Sequence, residues 1–471
     1  MASVSETTQL AVIGGGPGGY AAAFLAADLG LEVTLIDLEP NPGGVCLYRG
    51  CIPSKALLHV AKVIHEAKEA HTWGVTFSDP KIDVNKIRSW KEQVVNKLTG
   101  GVGQLSKQRK INYIQGRAEF IAQKTLQIHG KNGDQQLNFK NAILATGSHP
   151  VKLPGSIESP KLLDSTSALD LQSIPKNLLV VGGGYIGLEM ATVYASLGSQ
   201  VTVVEMGETL LPGADSDLVA ILSKQIEKRI YRVLTKTKVA QMQEDSQGIR
   251  VSFEGLIAGE EVFEKILVAI GRKPNSAISG LEHTQVKVNQ KGFIQVDSQC
   301  RTDDPDIFAI GDVVGEPMLA HKASHEGRVA AEVIAGFKAV FEPRAIPAVV
   351  FTDPEVAWCG LTEAEAKRTG QKIQVTRFPW AASGRAITID RTDGLTKLII
   401  DPETERVLGA GIVGPGAGEL ISELVLAIEM SAVASDIKLS IHPHPTLSET
   451  VMESAEVFFG QSTHIYRPIK K

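Results

Sequence analysis

The sequence has few cysteines, with four in 471 residues. That number is too small for the disulfide framework that holds many secreted proteins together. Two of the four, Cys46 and Cys51, are separated by four residues, whereas Cys300 and Cys359 have no near partner in the sequence. In a reducing compartment such a close pair is more often catalytic than structural, so we interpret Cys46 and Cys51 as a redox pair.

Long hydrophobic runs and an excess of positive charge are also missing. No apolar run approaches the roughly 20 residues that a membrane-spanning helix needs. Residues 1–9 lack the basic and apolar segments of a signal peptide. The net charge is -5 and the basic residues are dispersed, which gives no electrostatic footprint for nucleic acid. We therefore expect neither a membrane nor a nucleic-acid partner, and a cytoplasmic location.

Glycine is abundant, with 45 residues, and it is concentrated in recognisable patterns. An apolar strand over 9–13 leads into a Gly-x-Gly-x-x-Gly motif formed by Gly14, Gly16 and Gly19, followed by an alanine-rich helix, a second strand and Asp37. In this setting the glycines let the backbone approach a pyrophosphate, the helix N-terminus faces the negative charge, and the acid meets a ribose hydroxyl. The segment predicts a dinucleotide site.

The same unit occurs a second time, shifted by 168 residues throughout, and it carries Gly182, Gly184, Gly187 and Glu205 at the matching positions. A repeat with its acid in register predicts two dinucleotide sites in one chain. The first unit leads directly into the cysteine pair, so we assign it to FAD, whose ring can exchange electrons with sulfur. The second unit would then bind NAD. No arginine pair follows Glu205 to receive a 2′-phosphate, which favours NAD over NADP.

The backbone between the two cysteines must be irregular if they are to form a disulfide. Five residues of regular helix advance about 7.5 Å, whereas a disulfide requires Cα atoms roughly 4.4 to 6.8 Å apart. Gly50 and Pro53 favour an irregular backbone here. We predict a distorted turn that closes a small disulfide ring, with the regular helix beginning near Pro53. Two free, buried cysteines are the alternative.

Two longer motifs carry a family resemblance. Residues 43–55, Gly-Gly-Val-Cys-Leu-Tyr-Arg-Gly-Cys-Ile-Pro-Ser-Lys, lie between the two fingerprints and resemble the pyridine nucleotide-disulfide oxidoreductases of the two-dinucleotide-domain type. Residues 442–449, His-Pro-His-Pro-Thr-Leu-Ser-Glu, are similar to the branch of that family that oxidises dihydrolipoamide with NAD+. The resemblance, from about Leu10 to about Phe459, implies an α/β fold with two Rossmann-like dinucleotide-binding domains and a C-terminal α+β dimerisation domain.

The resemblance also implies roles for individual residues. Cys46 would be the sulfur that the substrate attacks, and Cys51 would pass electrons to the flavin. Lys55 would lie beside the flavin and pair with Glu189 of the second fingerprint.

A second group of roles comes from the C-terminal motif. His444 would be the base that generates the substrate thiolate, and Glu449 would orient it. The family supplies this histidine from the neighbouring subunit, which implies a homodimer. We interpret His442 as structural.

The residues expected to bind cofactors follow the same motifs. For FAD they are Gly14, Gly16, Gly19, Asp37, Gly43, Gly44, Val45, Cys46, Lys55, Ala118, Gly147, Asp312 and Ala320. For NAD they are Gly182, Gly183, Gly184, Tyr185, Ile186, Gly187, Glu205, Val239, Ala269, Ile270, Gly271 and Arg272. Tyr185 is either a gate over the flavin or a core residue, and Arg272 either borders NAD or is a solvated charge. We expect no metal site, because His321 and His325 have no further ligand cluster.

The predicted domains are an FAD domain with the redox disulfide over 1–150, an NAD domain over 151–277, a central domain that completes the FAD site over 278–347, and an interface domain over 348–471. A helical excursion is expected over 84–107, broken at Gly100-Gly101. After Pro347 we expect an antiparallel sheet with helices. One of these, over 418–430, carries an apolar stripe that is core by default.

Other functions fit the motifs less well. Glutathione reductase would need basic residues for NADP after Glu205, mercuric reductase would need a cysteine pair near the C-terminus, and a transhydrogenase would lack the cysteine pair. A docking or structural subunit with incidental redox activity would not need the intact catalytic set. We find no lipoyl domain in the sequence, so the lipoamide is expected from the lipoyl domains of 2-oxo acid dehydrogenase complexes, with a glycine-cleavage system as another source.

Overall fold

The first fingerprint forms a β-α-β unit in the computed structural model, which describes residues 5–131 and 133–466. The strands of this part are β1 (Ser5–Ile13), β2 (Val33–Asp37), β3 (Asn112–Ala122), β4 (Thr125–Gly130), β5 (Gly133–Leu144) and β6 (Ser148–Pro150). The helices are α1 (Pro17–Asp28), α2 (Gly44–Arg49), α3 (Cys51–Glu69) and α4 (Val84–Gln108). Strands β3, β2, β1 and β5 are parallel neighbours in that order, and β4 pairs antiparallel with β3 and β5. Leu10, Ala11 and Val12 in the C-terminal half of β1 are fully buried, as in parallel sheets covered on both faces.

The second fingerprint builds the same architecture. Its strands are β7 (Leu162–Leu163), β8 (Asn177–Val181), β9 (Gln200–Val204), β10 (Arg232–Leu234), β11 (Thr237–Glu244), β12 (Ile249–Gly255), β13 (Gly259–Phe263), β14 (Lys265–Val268) and β15 (Arg272–Pro274). Its helices are α5 (Tyr185–Ser196) and α6 (Ser216–Arg229). The parallel sheet has the order β10-β9-β8-β14-β7, and β11, β12 and β13 form a separate antiparallel sheet.

The predicted repeat is present in the backbone itself. Helices α1 and α5 both have 12 residues, and they begin and end 168 positions apart. Gly14 has φ +107° and Gly182 has φ +109°. A Cβ would lie 2.2 Å from the Ala145 carbonyl oxygen at Gly14 and 2.4 Å from that of Ala269 at Gly182. Both turns therefore require glycine for the same steric reason.

The chain leaves the first unit and returns to it at one place. Strand β6 pairs antiparallel with β15, so the exit at Pro150 lies beside the return at Arg272. Strand β16 (Ile307–Ala309) then joins β5 in the first sheet, and helix α7 (Ala320–Ile334) packs on α1. We propose that this double crossing separates the FAD and NAD domains, near the predicted limits.

The C-terminal part is an antiparallel sheet covered by helices, as predicted. Its strands are β17 (Ala348–Val350), β18 (Glu355–Gly360), β19 (Gln374–Pro379), β20 (Leu395–Ile400) and β21 (Val407–Gly414). Its helices are α8 (Glu363–Thr369), α9 (Gly384–Thr388), α10 (Ala417–Glu429), α11 (Ala434–Leu439) and α12 (Glu449–Phe458). Short 3-10 helices lie at Ala70–Trp73, Ser167–Asp170, Leu281–His283, Gly311–Val313 and Trp380–Ala382. The fold class is thus the predicted one. None of the described helices is both long and apolar enough to cross a bilayer.

One predicted break does not occur. Helix α4 runs without interruption from Val84 to Gln108 and passes through Gly100 and Gly101. Its buried residues recur three or four positions apart, at Val95, Thr99, Gly103 and Ser106. Because most of these are small or polar, the buried face is invisible to a search for apolar periodicity. Its tertiary packing offsets the low helix propensity of the two glycines.

The continuous helix predicts the effect of alanine at these glycines. Gly100 and Gly101 are exposed, and a Cβ at either would meet nothing within 4 Å. We expect Gly100→Ala and Gly101→Ala each to raise the stability of α4 by roughly 0.5–1 kcal/mol, as measured by amide hydrogen exchange of this helix. Gly103→Ala is the matched control, because its Cβ would lie 2.1 Å from Asn41 Oδ1 and force that side chain to move. Slower exchange in Gly103→Ala than in the other two variants would contradict this account.

Candidate active site

The two cysteines lie on successive helices that are separated by one irregular residue. Helix α2 ends at Arg49 and α3 begins at Cys51, with Gly50 between them at φ -146° and ψ -113°. A Cβ at Gly50 would lie 2.9 Å from the Val45 carbonyl oxygen. The predicted distorted turn is confirmed. The regular helix, however, begins at Cys51 and not near Pro53, which occupies the first turn, where a missing N–H costs nothing.

The cysteine segment rests directly on the first fingerprint. The Gly43 amide donates a hydrogen bond to the Gly15 carbonyl oxygen at 2.7 Å. Gly44 has φ +55°, and a Cβ there would lie 2.5 Å from the Gly16 Cα. Glycine on both sides therefore allows a backbone contact that fixes the height of the thiols above the fingerprint loop.

The two sulfurs share a hydrogen bond, and both cysteines are thiols in this structure. That bond, donated by Cys46, lowers the pKa of Cys51 to about 7. Burial and the charge of Glu189 raise this pKa, whereas the charge of Lys55 lowers it. The same bond and burial raise the pKa of Cys46. Cys51 is exposed and Cys46 is half-buried, so of the alternative, two free and buried cysteines, the structure contradicts the burial. The disulfide form stays a prediction.

A buried ion pair lies next to the thiols. Lys55 Nζ lies 3.0 and 2.9 Å from the two carboxylate oxygens of Glu189. Glu189 is 3% exposed, and it also accepts a hydrogen bond from the Phe351 amide at 3.0 Å. The ammonium lies 4.5 Å from the centroid of the Phe351 ring, a cation–π contact. Three parts of the chain thus meet at this pair, and sequence reasoning missed Phe351 because no motif marks it.

A cavity of about 370 Å³ extends from the first fingerprint to the thiols. Of the residues predicted to bind FAD, those that line it are Gly14, Gly16, Asp37, Gly44, Val45, Cys46, Lys55, Gly147, Asp312 and Ala320. Gly43 and Ala118 lie outside the lining. So does Gly19, where a Cβ would lie 1.8 Å from the Gly14 carbonyl oxygen, so that glycine shapes the loop.

The cavity suits a dinucleotide that carries a redox ring. Helix α1 begins with no side-chain cap at Gly16, which leaves its first amide groups open to the cavity. Open amides and the positive end of the helix dipole favour a pyrophosphate. Helix α7 also begins uncapped, at Ala320 on the cavity wall. The residues present therefore fit FAD, with its ring end at the thiols.

The two acids at the strand ends hold their own glycine loops. Asp37 accepts a hydrogen bond from the Gly15 amide at 2.5 Å, and burial raises its pKa. Glu205 accepts hydrogen bonds from the Gly183 amide at 2.7 Å and the Gly207 amide at 2.6 Å. Both acids thus occupy the position from which a ribose could be reached. Their ribose contacts stay predictions.

Arg272 is not a solvated charge. Its guanidinium donates to the hydroxyl and the carbonyl oxygen of Ser148, each at 2.7 Å. Ser148 in turn donates to Asp312 at 2.5 Å. Arg272, Tyr185 and Ile186 line the same cavity as the thiols. Tyr185 is 40% exposed, so the reading of this residue as core is wrong, and burial raises its pKa to about 12.

The other residues predicted to bind NAD lie around the second fingerprint. Ala269 and Ile270 follow β14, and Gly271 has φ +126°, just as Gly147 after β5 has φ +70°. Val239 lies in β11 opposite Phe253. A Cβ at Gly187 would lie 2.1 Å from the Gly182 carbonyl oxygen. The remaining members of the set, Gly183, Gly184 and Ile186, lie in the loop and first turn that open α5.

The C-terminal histidine and glutamate form a pair away from the cavity. His444 Nδ1 lies 2.8 Å from a Glu449 carboxylate oxygen, and the other oxygen accepts from the Thr446 amide at 2.8 Å. Desolvation would raise the pKa of Glu449, but these hydrogen bonds outweigh it and leave the pKa below its usual range. The side chain of His444 is 74% exposed. His442 binds Glu423 at 2.9 Å, and its side chain is 7% exposed, which suits a structural residue.

The chain does not bring His444 to its own cysteines. Within the described ranges, none of the residues that line the cavity lies beyond Ala323. Large apolar side chains are exposed elsewhere in the C-terminal part, at Leu426, Met430, Leu439 and Ile441, the last of them 97% exposed. The apolar stripe of α10 was predicted to be core, and its residues Ile421, Leu424 and Ile428 are buried.

Comparison with known protein families gives two matches that together span most of the chain. Residues 8–327 match the family described as pyridine nucleotide-disulphide oxidoreductase. Residues 346–455 match the dimerisation domain of the pyridine nucleotide-disulphide oxidoreductases.

Relatives and solved structures agree with these matches. The dihydrolipoyl dehydrogenase of Vibrio cholerae is 52% identical over 460 residues, which cover 97% of each chain. That of Haemophilus influenzae is 52% identical over 461 residues, covering 97% of this chain and 96% of the relative. The crystal structure of LpdA from Mycobacterium tuberculosis has a TM-score of 0.89 and 26% identity, covering 96% of this chain and 99% of that one. The flavoprotein disulfide reductase RclA from Escherichia coli has a TM-score of 0.85 and 28% identity, with 95% and 99% covered.

The charges around Cys51 predict opposite effects of two substitutions. Lys55→Met removes the cation that stabilises the thiolate, so the pKa of Cys51 should rise above about 7. Glu189→Gln removes the carboxylate that opposes it, so the pKa should fall. The measurement is the rate of iodoacetamide labelling of Cys51 against pH in the reduced enzyme, with the labelled cysteine identified by mass spectrometry. Shifts of the same sign in both variants would contradict the assignment.

Proposed function

Because the chain belongs to the pyridine nucleotide-disulphide oxidoreductase family, we propose that it oxidises dihydrolipoamide to lipoamide and reduces NAD+ to NADH and H+. The chain is a flavoprotein disulfide oxidoreductase that uses FAD and NAD. The substrate is proposed from relatives named dihydrolipoyl dehydrogenase that match nearly the whole chain. One observation carries the mechanism: Cys46 and Cys51 line one cavity together with the first fingerprint and with Lys55, which is paired with Glu189.

The first half of the reaction is thiol–disulfide exchange. A substrate thiolate attacks the Cys46 sulfur of the enzyme disulfide, the Cys46–Cys51 bond breaks, and the electron pair leaves on Cys51 as a thiolate. The second substrate thiolate then attacks the mixed disulfide, which closes the lipoamide ring and releases Cys46. The low pKa of Cys51 favours its departure as a thiolate at neutral pH.

Lys55 and Glu189 stabilise the thiolate of Cys51. FAD, when held by this cavity, would supply the two-electron redox chemistry that links the dithiol to NAD+. Lys55 holds its positive charge beside Cys51, and the buried Glu189 fixes the ammonium in place. The pair thus stabilises negative charge at the thiol end of the cavity in the reduced enzyme.

The proton acceptor is His444. Glu449, whose pKa lies below its usual range, stays ionised at neutral pH and accepts from Nδ1 of the imidazole. That contact leaves Nε2 free to take the substrate proton and stabilises the imidazolium that forms.

The histidine is proposed to act on the cysteines of a second subunit. The chain carries the family's dimerisation domain, which supports a homodimer. The exposed His444 and the exposed apolar side chains of Leu439 and Ile441, close to it in the sequence, support an interface in this part of the chain. A complete site would then need the cysteines of one chain and the histidine of the other.

The wider setting is a further part of the proposal. The lipoamide is proposed to come from lipoyl domains of 2-oxo acid dehydrogenase complexes, with a glycine-cleavage system as the second candidate. We place the reaction in the cytoplasm, because the reactive Cys46–Cys51 pair suits a reducing compartment.

Steady-state assays of the holoenzyme test the reaction. With free dihydrolipoamide we expect turnover with NAD+ and a kcat/KM at least about tenfold lower with NADP+, because the Glu205 carboxylate would repel a 2′-phosphate. Glutathione disulfide with NADPH is the control for the alternative reductase. Failure to turn over dihydrolipoamide with either nucleotide would overturn the proposed function.

Mixed dimers test the shared site. We expect Cys46→Ser and His444→Gln homodimers to be nearly inactive. Subunits mixed at equal amounts should recover about a quarter of wild-type activity, since half of the dimers then carry one intact site of two. The measurement is activity after dissociation and reassociation, with the heterodimer isolated by two affinity tags. An isolated heterodimer as inactive as its parents would show that the histidine does not act across subunits.

A further inference from the structure

Helix α6 of the NAD domain is held at its N-terminal end by a buried lysine of the dimerisation domain. Lys397, on β20, is fully buried. Its ammonium lies 2.6 Å from an Asp215 oxygen, 2.9 Å from an Asp217 oxygen and 2.6 Å from a Glu363 oxygen. Asp215 is the N-cap residue of α6, and Asp217 lies in its first turn. The lysine thus joins two domains.

Further contacts hold the same helix. Arg377 of β19 donates to Asp217 at 2.6 Å, and Asp215 accepts from the Glu363 amide at 3.0 Å. At the other end of α6, Arg229 binds the Asp353 carboxylate at 2.7 Å and its carbonyl oxygen at 2.6 Å. Both ends of one NAD-domain helix are therefore fixed to the dimerisation domain.

The cluster around Lys397 is an ion-pair cluster and not a cation site. Asp215, Asp217 and Glu363 offer carboxylate oxygens within 4.8 Å of one another, a spacing that could hold a metal ion. The ammonium of Lys397 lies within hydrogen-bonding distance of all three and takes that place. Removing it would leave three carboxylates close together with no buried cation among them, a strongly unfavourable arrangement.

The anchored end of α6 leads directly to the second fingerprint. Residues 206–214 connect Glu205 to α6. Within this segment the Ala214 amide donates to the Leu211 carbonyl oxygen at 3.2 Å, and the Leu211 amide donates to the Gly183 carbonyl oxygen at 3.0 Å. Leu210 packs so closely that a Cβ on Gly183 would lie 2.6 Å from its Cδ2. A displacement of Asp215 would therefore be transmitted to the glycine loop through Ala214 and Leu211.

We propose that Lys397 is a positioning residue for NAD: from the dimerisation domain, it holds residues 206–214 against the glycine loop that receives the nucleotide. The inference rests on the proposed role of the second fingerprint in NAD binding. It goes further by making that site depend on a residue almost 200 positions away, in the domain that forms the dimer. The dithiol half of the reaction should depend much less on Lys397, since Cys46 and Cys51 lie on α2 and α3 of the FAD domain. His444 and Glu449, which that half also needs, are not among the partners of the Lys397 ammonium.

The experiment compares the two half-reactions in the FAD-loaded dimer. For Lys397→Met we expect the Kd of NAD+, measured by isothermal titration calorimetry, to rise about tenfold. The anaerobic rate of flavin reduction by dihydrolipoamide without NAD+ should stay within about twofold of wild type. Lys287→Met is the control for the loss of an exposed lysine ion pair elsewhere in the chain, because Lys287 binds Asp303 at 2.7 Å in the central part.

A second pair of variants covers the case in which Lys397→Met does not fold. Arg377 is half-exposed, so Arg377→Met should fold and weaken NAD+ binding in the same direction by a smaller factor, while Arg377→Lys should restore part of the affinity. Equal slowing of flavin reduction and NAD+ binding would mean general damage and would overturn the inference. Unchanged NAD+ affinity in the Lys397 and Arg377 variants, alongside weakened binding in Glu205→Ala, would also overturn it and leave the proposed function standing. Absence of NAD+ binding by the wild-type enzyme would instead overturn the proposed function.

Discussion

The contact between the cysteine segment and the first glycine loop determines where the chemistry can occur. The Gly43 amide binds the Gly15 carbonyl oxygen, and Gly44 lies against Gly16 with no room for a Cβ. A side chain at Gly44 would lift α2 away from the fingerprint and the sulfurs away from the cavity. The pyrophosphate loop and the dithiol are therefore one steric unit, and the nucleotide and the sulfurs cannot be positioned independently.

The polar and charged side chains around this unit form a chain in which each group interacts with the next. Cys46 donates to Cys51, Lys55 stabilises the Cys51 thiolate, and Glu189 holds Lys55. A buried carboxylate is costly unless it is paired and hydrogen-bonded, and here the Lys55 ammonium and the Phe351 amide satisfy Glu189. The Lys55–Glu189 pair adds little net charge to the cavity, because its two charges cancel. Its ammonium lies near Cys51 and stabilises negative charge on the dithiol.

The sequence predicted what is encoded locally and missed what depends on packing. The register of the two fingerprints follows from the glycine positions, because a Cβ at Gly14 or at Gly182 would collide with a backbone carbonyl oxygen. The irregular turn follows from Gly50 and Pro53. The course of α4 through Gly100 could not be predicted, since its buried face consists largely of small and polar side chains. The contacts of Arg272 with Ser148 and of Lys397 with Asp215 join residues more than 120 positions apart, and no local pattern marks either partner.

The proposed base, His444, is preorganised by contacts within its own chain. Glu449 lies in the first turn of α12, accepts the Thr446 amide, and holds His444 in one orientation although the imidazole is 74% exposed. Ordering a flexible side chain at an interface costs free energy that would otherwise favour association. The imidazole is already fixed by contacts within its own chain. The free energy gained by burying apolar side chains such as Ile441 would therefore not be offset by the cost of ordering the histidine. In the proposed dimer, association would then complete the site by bringing together two preformed halves.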